Sequence, residues 1–157
     1  MITAVDTSVL VDVFTANARH GPASRDALRR CRAEGSLIAC EVVWAEVSAA
    51  FPTADGAADA LRALEVGFDP LHEEGALAAG TAWRAYRADG GPRRRVLADL
   101  LVGMHALTRA ERLLTRDRGF YRSVFTNLQI LDAAQEPATG SPMEPSKSSL
   151  IQSTAEW

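Results

Sequence analysis

The chain has 157 residues, of which 47% are hydrophobic and 24% charged, and its 17 basic and 20 acidic side chains give a formal net charge of −3. This length suits one domain with a developed core and is too short for two domains of ordinary size, and the composition excludes a disordered or fibrous chain. Apolar stretches are shorter than the ~20 residues that span a bilayer, so we expect a cytoplasmic protein with no membrane association.

The first predicted elements alternate between strand and helix. A β-branched, apolar strand over 2–5 ends at Asp6, and Thr7 and Ser8 are candidate N-caps for an apolar helix over 9–14. A second helix has Pro22 near its start and Gly35 just past its end. A short buried strand over 37–40 follows, and the third helix begins at Glu41 and carries Glu46.

The same alternation continues beyond Pro52, which interrupts the third helix. The remaining predicted elements are a helix over 57–66 capped by Thr53 or Asp55, a strand over 68–71, a helix over 73–87, the longest helix over 93–110 after the Gly90-Gly91-Pro92 turn, a strand over 112–115, a helical turn over 118–123 and a closing strand over 128–131. This order predicts an α/β fold with three layers, in which a central, mainly parallel sheet lies between helices.

The composition changes after residue 132. Pro, Ser, Thr, Glu and Gln dominate residues 133–157, where large apolar side chains are few. We therefore expect a folded domain over 1–132 and a disordered C-terminal tail over 133–157.

Four acidic residues lie in apolar surroundings: Asp6, Glu46, Asp99 and Asp117. Burying an ionised carboxylate without a partner is costly, so four such residues are best explained by a cation among them. Asp6 and Asp117 follow predicted strands, and ligands of parallel sheets gather at the carboxyl ends of strands. Asp12 and Glu41 are weaker candidates, and His105 is interpreted as structural because helical geometry points it away from Asp99.

Each acid also has an ordinary structural explanation. Asp6 could cap the first helix, Glu46 could be a solvated helix residue, and Asp117 could pair with a neighbouring arginine. The segment 84–122 contains ten arginines and four acids. Such a basic segment suits a phosphate backbone, and it also suits a solvated surface.

The motifs DTSVLVD, AEV, ADLLVGMHAL and LLTRDRGFY, in this order over residues 1–132, resemble those of PIN-domain ribonucleases, and most closely the VapC toxins of VapBC toxin-antitoxin pairs. The resemblance implies that Asp6, Glu46, Asp99 and Asp117 hold Mg²⁺ or Mn²⁺ across a groove, and that Thr115 supports the site by hydrogen bonding. It also implies cleavage of RNA by a metal-activated water, a cognate VapB-type antitoxin and a homodimer. Candidate contacts to the RNA backbone are Arg93, Arg94, Arg95 and Arg116.

Two other functions fit parts of the pattern. Aspartyl-phosphate enzymes also place acids at strand ends, but they use a lysine near the phosphoryl group, and the only lysine here is Lys147. The second alternative is a catalytically idle PIN-like domain that binds RNA or a basic peptide. The presence of all four acids favours the nuclease over the idle domain.

Overall fold

The structure is a computed structural model that describes residues 1–92 and 96–134. The predicted helix start at Arg93 and the predicted tail, apart from Ala133 and Ala134, therefore lie outside the described residues. The described residues form five strands and seven helices: β1 Ile2–Val5, α1 Thr7–Phe14, α2 Gly21–Glu34, β2 Ser36–Ala39, α3 Glu41–Ser48, α4 Ala54–Ala63, β3 Val66–Phe68, α5 Glu73–Ala88, α6 Val96–Arg109, β4 Arg112–Thr115, α7 Arg118–Val124 and β5 Gln129–Asp132.

The five strands form one sheet in the order β3-β2-β1-β4-β5, and every neighbouring pair is parallel. Right-handed crossovers between parallel strands place α1 to α4 on one face and α5 to α7 on the other. The predicted three-layer α/β/α fold is confirmed, and the described sheet is parallel throughout.

Burial is deepest in the two central strands. All four residues of β4 are buried, as are the last three of β1, which is typical of parallel strands covered on both faces. Leu113 and Leu114 have almost no exposed surface, and helices contribute Leu10 and Leu100 to the same core. A rigid pair of strands therefore supports whatever follows their carboxyl ends.

The chain continues from β1 and from β4 toward opposite edges of the sheet. From β1 the chain proceeds to β2 on one side, whereas from β4 it proceeds to β5 on the other side. In open α/β sheets such a switch point leaves a crevice outside the carboxyl ends of the two strands. Val5 pairs with Leu114 in the register, and the Asp6 N–H then donates to the Leu114 carbonyl at 2.9 Å. Asp6 is thereby fixed at the crevice.

Several predicted boundaries were wrong, most of them by one residue and those of the first helix, the third strand and the fourth helix by more. The third strand covers 66–68 rather than 68–71, because Pro70 has no N–H with which to extend the ladder. Helix α4 ends at Ala63, short of the predicted 66, and the positive φ of 56° at Glu65 turns the chain into β3. Helix α1 starts at Thr7 rather than after it.

Two further features concern the cysteines and membranes. Cys31 and Cys40 are buried free thiols. Among the helices of the described ranges, none has both the length and the apolar character needed to cross a bilayer.

Candidate active site

An open groove of about 690 Å³ lies at the switch point, and all four predicted acids line it. Asp6 follows β1, Glu46 lies on α3, Asp99 lies in the first described turn of α6, and Asp117 follows β4. Thr7, Ser8, Val11 and Arg116 complete the lining. Residues separated by more than a hundred positions in the chain therefore meet in one groove.

Asp6 is the most deeply buried of the four acids, with 7% of its surface exposed. Its Oδ2 accepts hydrogen bonds from Ser8 Oγ at 2.7 Å and Thr115 Oγ1 at 2.8 Å, and its Oδ1 accepts one from Tyr121 Oη at 3.3 Å. Burial raises the pKa of Asp6, although these hydrogen bonds oppose the shift. The carboxylate is thus fixed in orientation but costly to ionise.

The position of Asp6 explains why it is not simply a helix cap. Asp6 occupies the N-cap position of α1 with extended backbone, but its side chain makes no capping hydrogen bond to the helix. The predicted capping role of Thr7 and Ser8 was also wrong. Thr7 Oγ1 instead donates to Glu46 Oε2 at 2.5 Å, and the Ser8 hydroxyl serves Asp6.

Thr115 connects the ends of the two central strands. Its hydroxyl donates to Asp6 and accepts the backbone N–H of Asp117 at 3.0 Å. A single buried hydroxyl therefore sets the position of one acid directly and of another through the backbone. These are the hydrogen bonds that Thr115 would need in order to support the site as predicted.

Asp117 is exposed at the rim of the groove. The neighbouring arginines have other partners: Arg116 pairs with Asp12 at 3.0 Å and Arg118 pairs with Asp132 at 2.9 Å. Asp117 is therefore not the ion-pair partner of either neighbouring arginine. Its carboxylate lies beside the groove instead.

Asp12 is a buried carboxylate that holds Arg116 in the lining of the groove. It is 1% exposed, and its Oδ2 accepts from Ser24 Oγ at 3.0 Å and pairs with Arg116 Nε. Arg116, a candidate contact to RNA, is therefore anchored by a buried carboxylate while its side chain still lines the groove. The other candidate contacts, Arg93, Arg94 and Arg95, lie outside the described residues.

Two acids and one histidine outside the groove have structural roles. Glu41 accepts the backbone N–H of Leu71 at 2.9 Å. Buried His105 has Nε2 2.9 Å from Asp69 Oδ2, and Arg109 donates to both oxygens of Asp69. The Arg109 guanidinium, helped by His105, lowers the pKa of Asp69 to about 2. His105 is structural, as expected.

Sequence reasoning missed the partners of the acids. Ser8 and Tyr121 hold Asp6, and Asp12 holds Arg116, yet none of the three was a predicted site residue. An aspartate inside the apolar stretch VLVDVF was a signal for Asp12, because a buried carboxylate needs a partner. Tyr121 carried no such signal, since only the packing of α7 brings it near β1.

The donor set suits a hard divalent cation. Mg²⁺ takes a few carboxylate oxygens and keeps several waters, and a cation beside Asp6 would offset the cost of ionising that buried group. The carboxylates do not by themselves form a complete metal site. In the described ranges, no three His, Cys, Asp or Glu residues form a group that could hold a metal ion. Waters or side-chain rotation would have to bridge the remaining gaps.

The fold and the groove together define a doubly wound α/β domain with an acidic crevice at the switch point of a parallel sheet. Residues 3–125 match the family model of the PIN domain, and the protein belongs to that family. A comparison with curated protein sequences gave no match.

Solved structures share the fold at low sequence identity. VapBC2 from Rickettsia felis, bound to a DNA fragment from its promoter, superposes with a TM-score of 0.65 at 17% identity, covering 84% of this chain and 98% of that chain. VapBC-1 from nontypeable Haemophilus influenzae gives 0.63 at 20% identity, covering 86% and 100%. DNA-bound VapBC from Salmonella typhimurium gives 0.61 at 13% identity, covering 85% and 98%.

Proposed function

We propose that this PIN-domain protein is a Mg²⁺- or Mn²⁺-dependent endoribonuclease that hydrolyses phosphodiester bonds in RNA. The observation that supports it most strongly is the placement of Asp6, Glu46, Asp99 and Asp117 around one groove at the switch point. A groove lined by four carboxylates repels a phosphodiester by charge. A cation in the groove would remove that repulsion, so the acidity itself supports a metal-dependent reaction.

Asp6 and Asp99 are the first choice of direct metal ligands, and Glu46 and Asp117 would complete the site directly or through waters. When bound, the ion would supply Lewis-acid activation of water and neutralisation of charge on the phosphoryl oxygens. Oδ2 of Asp6 already accepts from Ser8 and Thr115, whereas Oδ1 accepts only from Tyr121 and keeps a further lone pair for a ligand.

The remaining side chains of the groove position these acids and the substrate. Thr115 orients Asp6 and the backbone of Asp117, and Thr7 holds Glu46 by a hydrogen bond across from α1 to α3. Arg116, anchored on Asp12 and lining the groove, would contact a phosphate beside the acids. Phosphate contacts of this kind fix the register of a nucleic acid without reading its sequence.

The proposal extends to the biological partners. Solved VapBC complexes share the fold over nearly their full matched chains, which supports assignment as the toxin half of a VapBC pair in the cytoplasm. A VapB-type antitoxin would inhibit by sending a basic side chain into the acidic groove, because a guanidinium can replace the metal as counter-charge. The toxin would form a homodimer, as the family resemblance implies.

The second candidate function is a catalytically idle PIN-like domain that binds RNA or a basic peptide. The basic segment that carries Arg116 and the acidic groove would each suit such binding without turnover. Hydrolysis separates the two functions, because an idle domain binds its ligand and releases it intact.

The test is cleavage of total cellular RNA by the purified full chain with Mg²⁺ or Mn²⁺ and with EDTA. We expect discrete fragments with either metal and none with EDTA. Asp6→Asn and Asp99→Asn should each lower the cleavage rate by at least about 100-fold, since removing one electrostatic group from such a site commonly costs that much.

A matched control is Asp26→Asn, which changes an exposed carboxylate on α2 outside the groove and should cleave as the wild type does. A folded Asp6→Asn or Asp99→Asn protein with full activity would overturn the mechanism. A folded, antitoxin-free wild type that binds RNA but leaves it intact with every metal would favour the idle domain.

A further inference from the structure

We propose that a second pocket, the Trp83 pocket, is a subsite that stacks an unpaired base of the RNA and holds its flanking phosphates. The pocket is lined by Trp83, Arg84, Arg87, Ala88 and Gly91 and has a volume of about 600 Å³. Pockets of about 300–1,000 Å³ accommodate small-molecule-sized groups, so one nucleotide fits. The inference rests on the proposed function, since it concerns the same RNA.

The side chains of the pocket combine an aromatic surface with positive charge. Trp83 is half-buried and packs against the core, whereas Arg84 and Arg87 are exposed. The Arg87 guanidinium lies over the Trp83 ring, with its Cζ 4.9 Å from the ring centroid. A guanidinium over an indole ring forms a flat, positively charged stack that a base can extend, because both groups are flat and both interact with π systems.

Within the described residues, no ion pair compensates the charge of the pocket. Seven arginines of the described ranges pair with carboxylates: Arg29, Arg32, Arg62, Arg109, Arg112, Arg116 and Arg118. Neither Arg84 nor Arg87 has such a partner in that part of the chain, although Asp89 follows closely in sequence. Both guanidinium groups therefore keep their charge for a phosphate, and Arg87 also lies over the Trp83 ring.

One wall of the pocket is closely packed. The Gly91 N–H donates to the Tyr86 carbonyl at 3.1 Å, and a Cβ on Gly91 would lie 2.1 Å from Cε1 of the Tyr86 ring. The turn after α5 therefore packs against Tyr86, and a larger residue at position 91 would force the ring to move. A preformed wall reduces the cost of ordering the site when a ligand binds.

A chain of aromatic contacts connects the pocket to the acidic groove. Tyr86, one helical turn from Trp83, has its ring centroid 6.0 Å from that of Phe120, and Phe120 is 5.4 Å from Tyr121. Tyr121 in turn donates to Asp6. Helix α5 also packs on α6, which carries Asp99. The pocket and the groove therefore lie on adjoining elements of the fold, and under this proposal one RNA strand contacts both.

The chemistry favours RNA over an acidic peptide. A peptide carboxylate would use the arginines and leave the indole ring without a partner, whereas a nucleotide uses both. Stacking on an aromatic ring is tolerant of sequence because every base has a π face. The Trp83 pocket would then add affinity for unpaired RNA without selecting one base.

The test is the affinity of the full chain for a fluorescent single-stranded RNA, measured by anisotropy across a salt series. An Asp99→Asn background prevents cleavage during the measurement. Arg84→Ala/Arg87→Ala should lower the slope of log affinity against log salt by about 1.4, since each phosphate contact to a single strand contributes about 0.7. Trp83→Leu should weaken binding by about 5- to 150-fold, the loss of one stacked base, and Trp83→Phe should recover most of it.

Arg19→Ala/Arg25→Ala is the matched control, because it removes two exposed arginines from the region of α2. This control should keep the wild-type slope.

The inference would be overturned if the double arginine variant and Trp83→Leu both bound RNA with the affinity and slope of the wild type. It would also be overturned if these variants lost binding to an acidic peptide such as oligoglutamate but kept their binding to RNA. Binding is measured without turnover, so the two proposals can fail separately. If the wild type cleaves RNA and the pocket variants bind it normally, the subsite alone is refuted. If the wild type does not cleave RNA but its binding depends on Trp83, the nuclease alone is refuted.

Discussion

Asp6 is the residue on which the site depends, because it is buried and held by three hydroxyl groups at the end of the central strand. The cost of ionising it makes the cation-free protein less stable than its packing alone would allow. The three hydroxyls hold the carboxylate in one orientation but bring no positive charge. A divalent cation would supply that charge.

This cost leads to a prediction for Asp6→Asn. Because burial raises the pKa of Asp6 in the folded state, the charged carboxylate opposes folding above that pKa. The variant should therefore have a higher free energy of unfolding in EDTA at pH 7, by about 0.5–2 kcal/mol, the usual range for a stabilising substitution. Urea denaturation of the two proteins measures the difference.

The sign can be checked by lowering the pH. Below 3.8, the ordinary pKa of the carboxyl, Asp6 is neutral in the folded and unfolded states, and the advantage of the variant should disappear. A variant that is less stable than the wild type at pH 7 in EDTA would show that the hydroxyls outweigh burial.

At the scale of elements, α6 and α7 place the acids against the sheet. Gly103 lies one turn beyond Asp99 on α6, and a Cβ there would lie 2.2 Å from Cε2 of the Phe125 ring. Phe125 follows α7 and is buried. The missing side chain at Gly103 therefore lets Phe125, and with it the end of α7, approach α6, and Tyr121 of the same helix donates to Asp6.

Gly103→Ala should destabilise the fold by about 1–3 kcal/mol, the usual cost of adding a methyl group to a packed core. Thermal denaturation gives the measurement. Gly80→Ala on α5 is the control, because nothing lies within 4 Å of its added Cβ, and it should be neutral or stabilising by up to about 1 kcal/mol. Equal stability of the two variants would contradict the close approach of α7.

The alternation of strands and helices was readable from the sequence because buried strands and amphipathic helices have different apolar periods. The end of β3 was missed because the apolar residues on either side of Asp69-Pro70 outweighed the lost N–H of Pro70. The acids of the groove were found because each interrupts an apolar stretch. The partners Ser8, Thr115 and Tyr121 meet Asp6 only through tertiary packing, and family resemblance alone pointed to Thr115.

For the whole molecule, the topology explains why a short domain can assemble a site from distant residues. The switch between β1 and β4 opens one crevice, and the helices on both faces bring Glu46 and Asp99 to it. The opposite charges are spread in a complementary way, with carboxylates in the groove and, in the Trp83 pocket, arginines that have no carboxylate partner among the described residues. An RNA strand would be cleaved with a metal ion in the groove, and its phosphates and a base would contact the Trp83 pocket.

The central claim is that the four carboxylates act together on one kind of ligand, a divalent cation. Isothermal titration of Mn²⁺ into the full chain, without RNA or antitoxin, tests it directly. We expect saturable binding that is lost in Asp6→Asn and Asp99→Asn, weakened in Glu46→Gln and Asp117→Asn, and unchanged in Asp26→Asn. Absence of binding to the folded wild type, or binding that survives both Asp6→Asn and Asp99→Asn, would contradict the account.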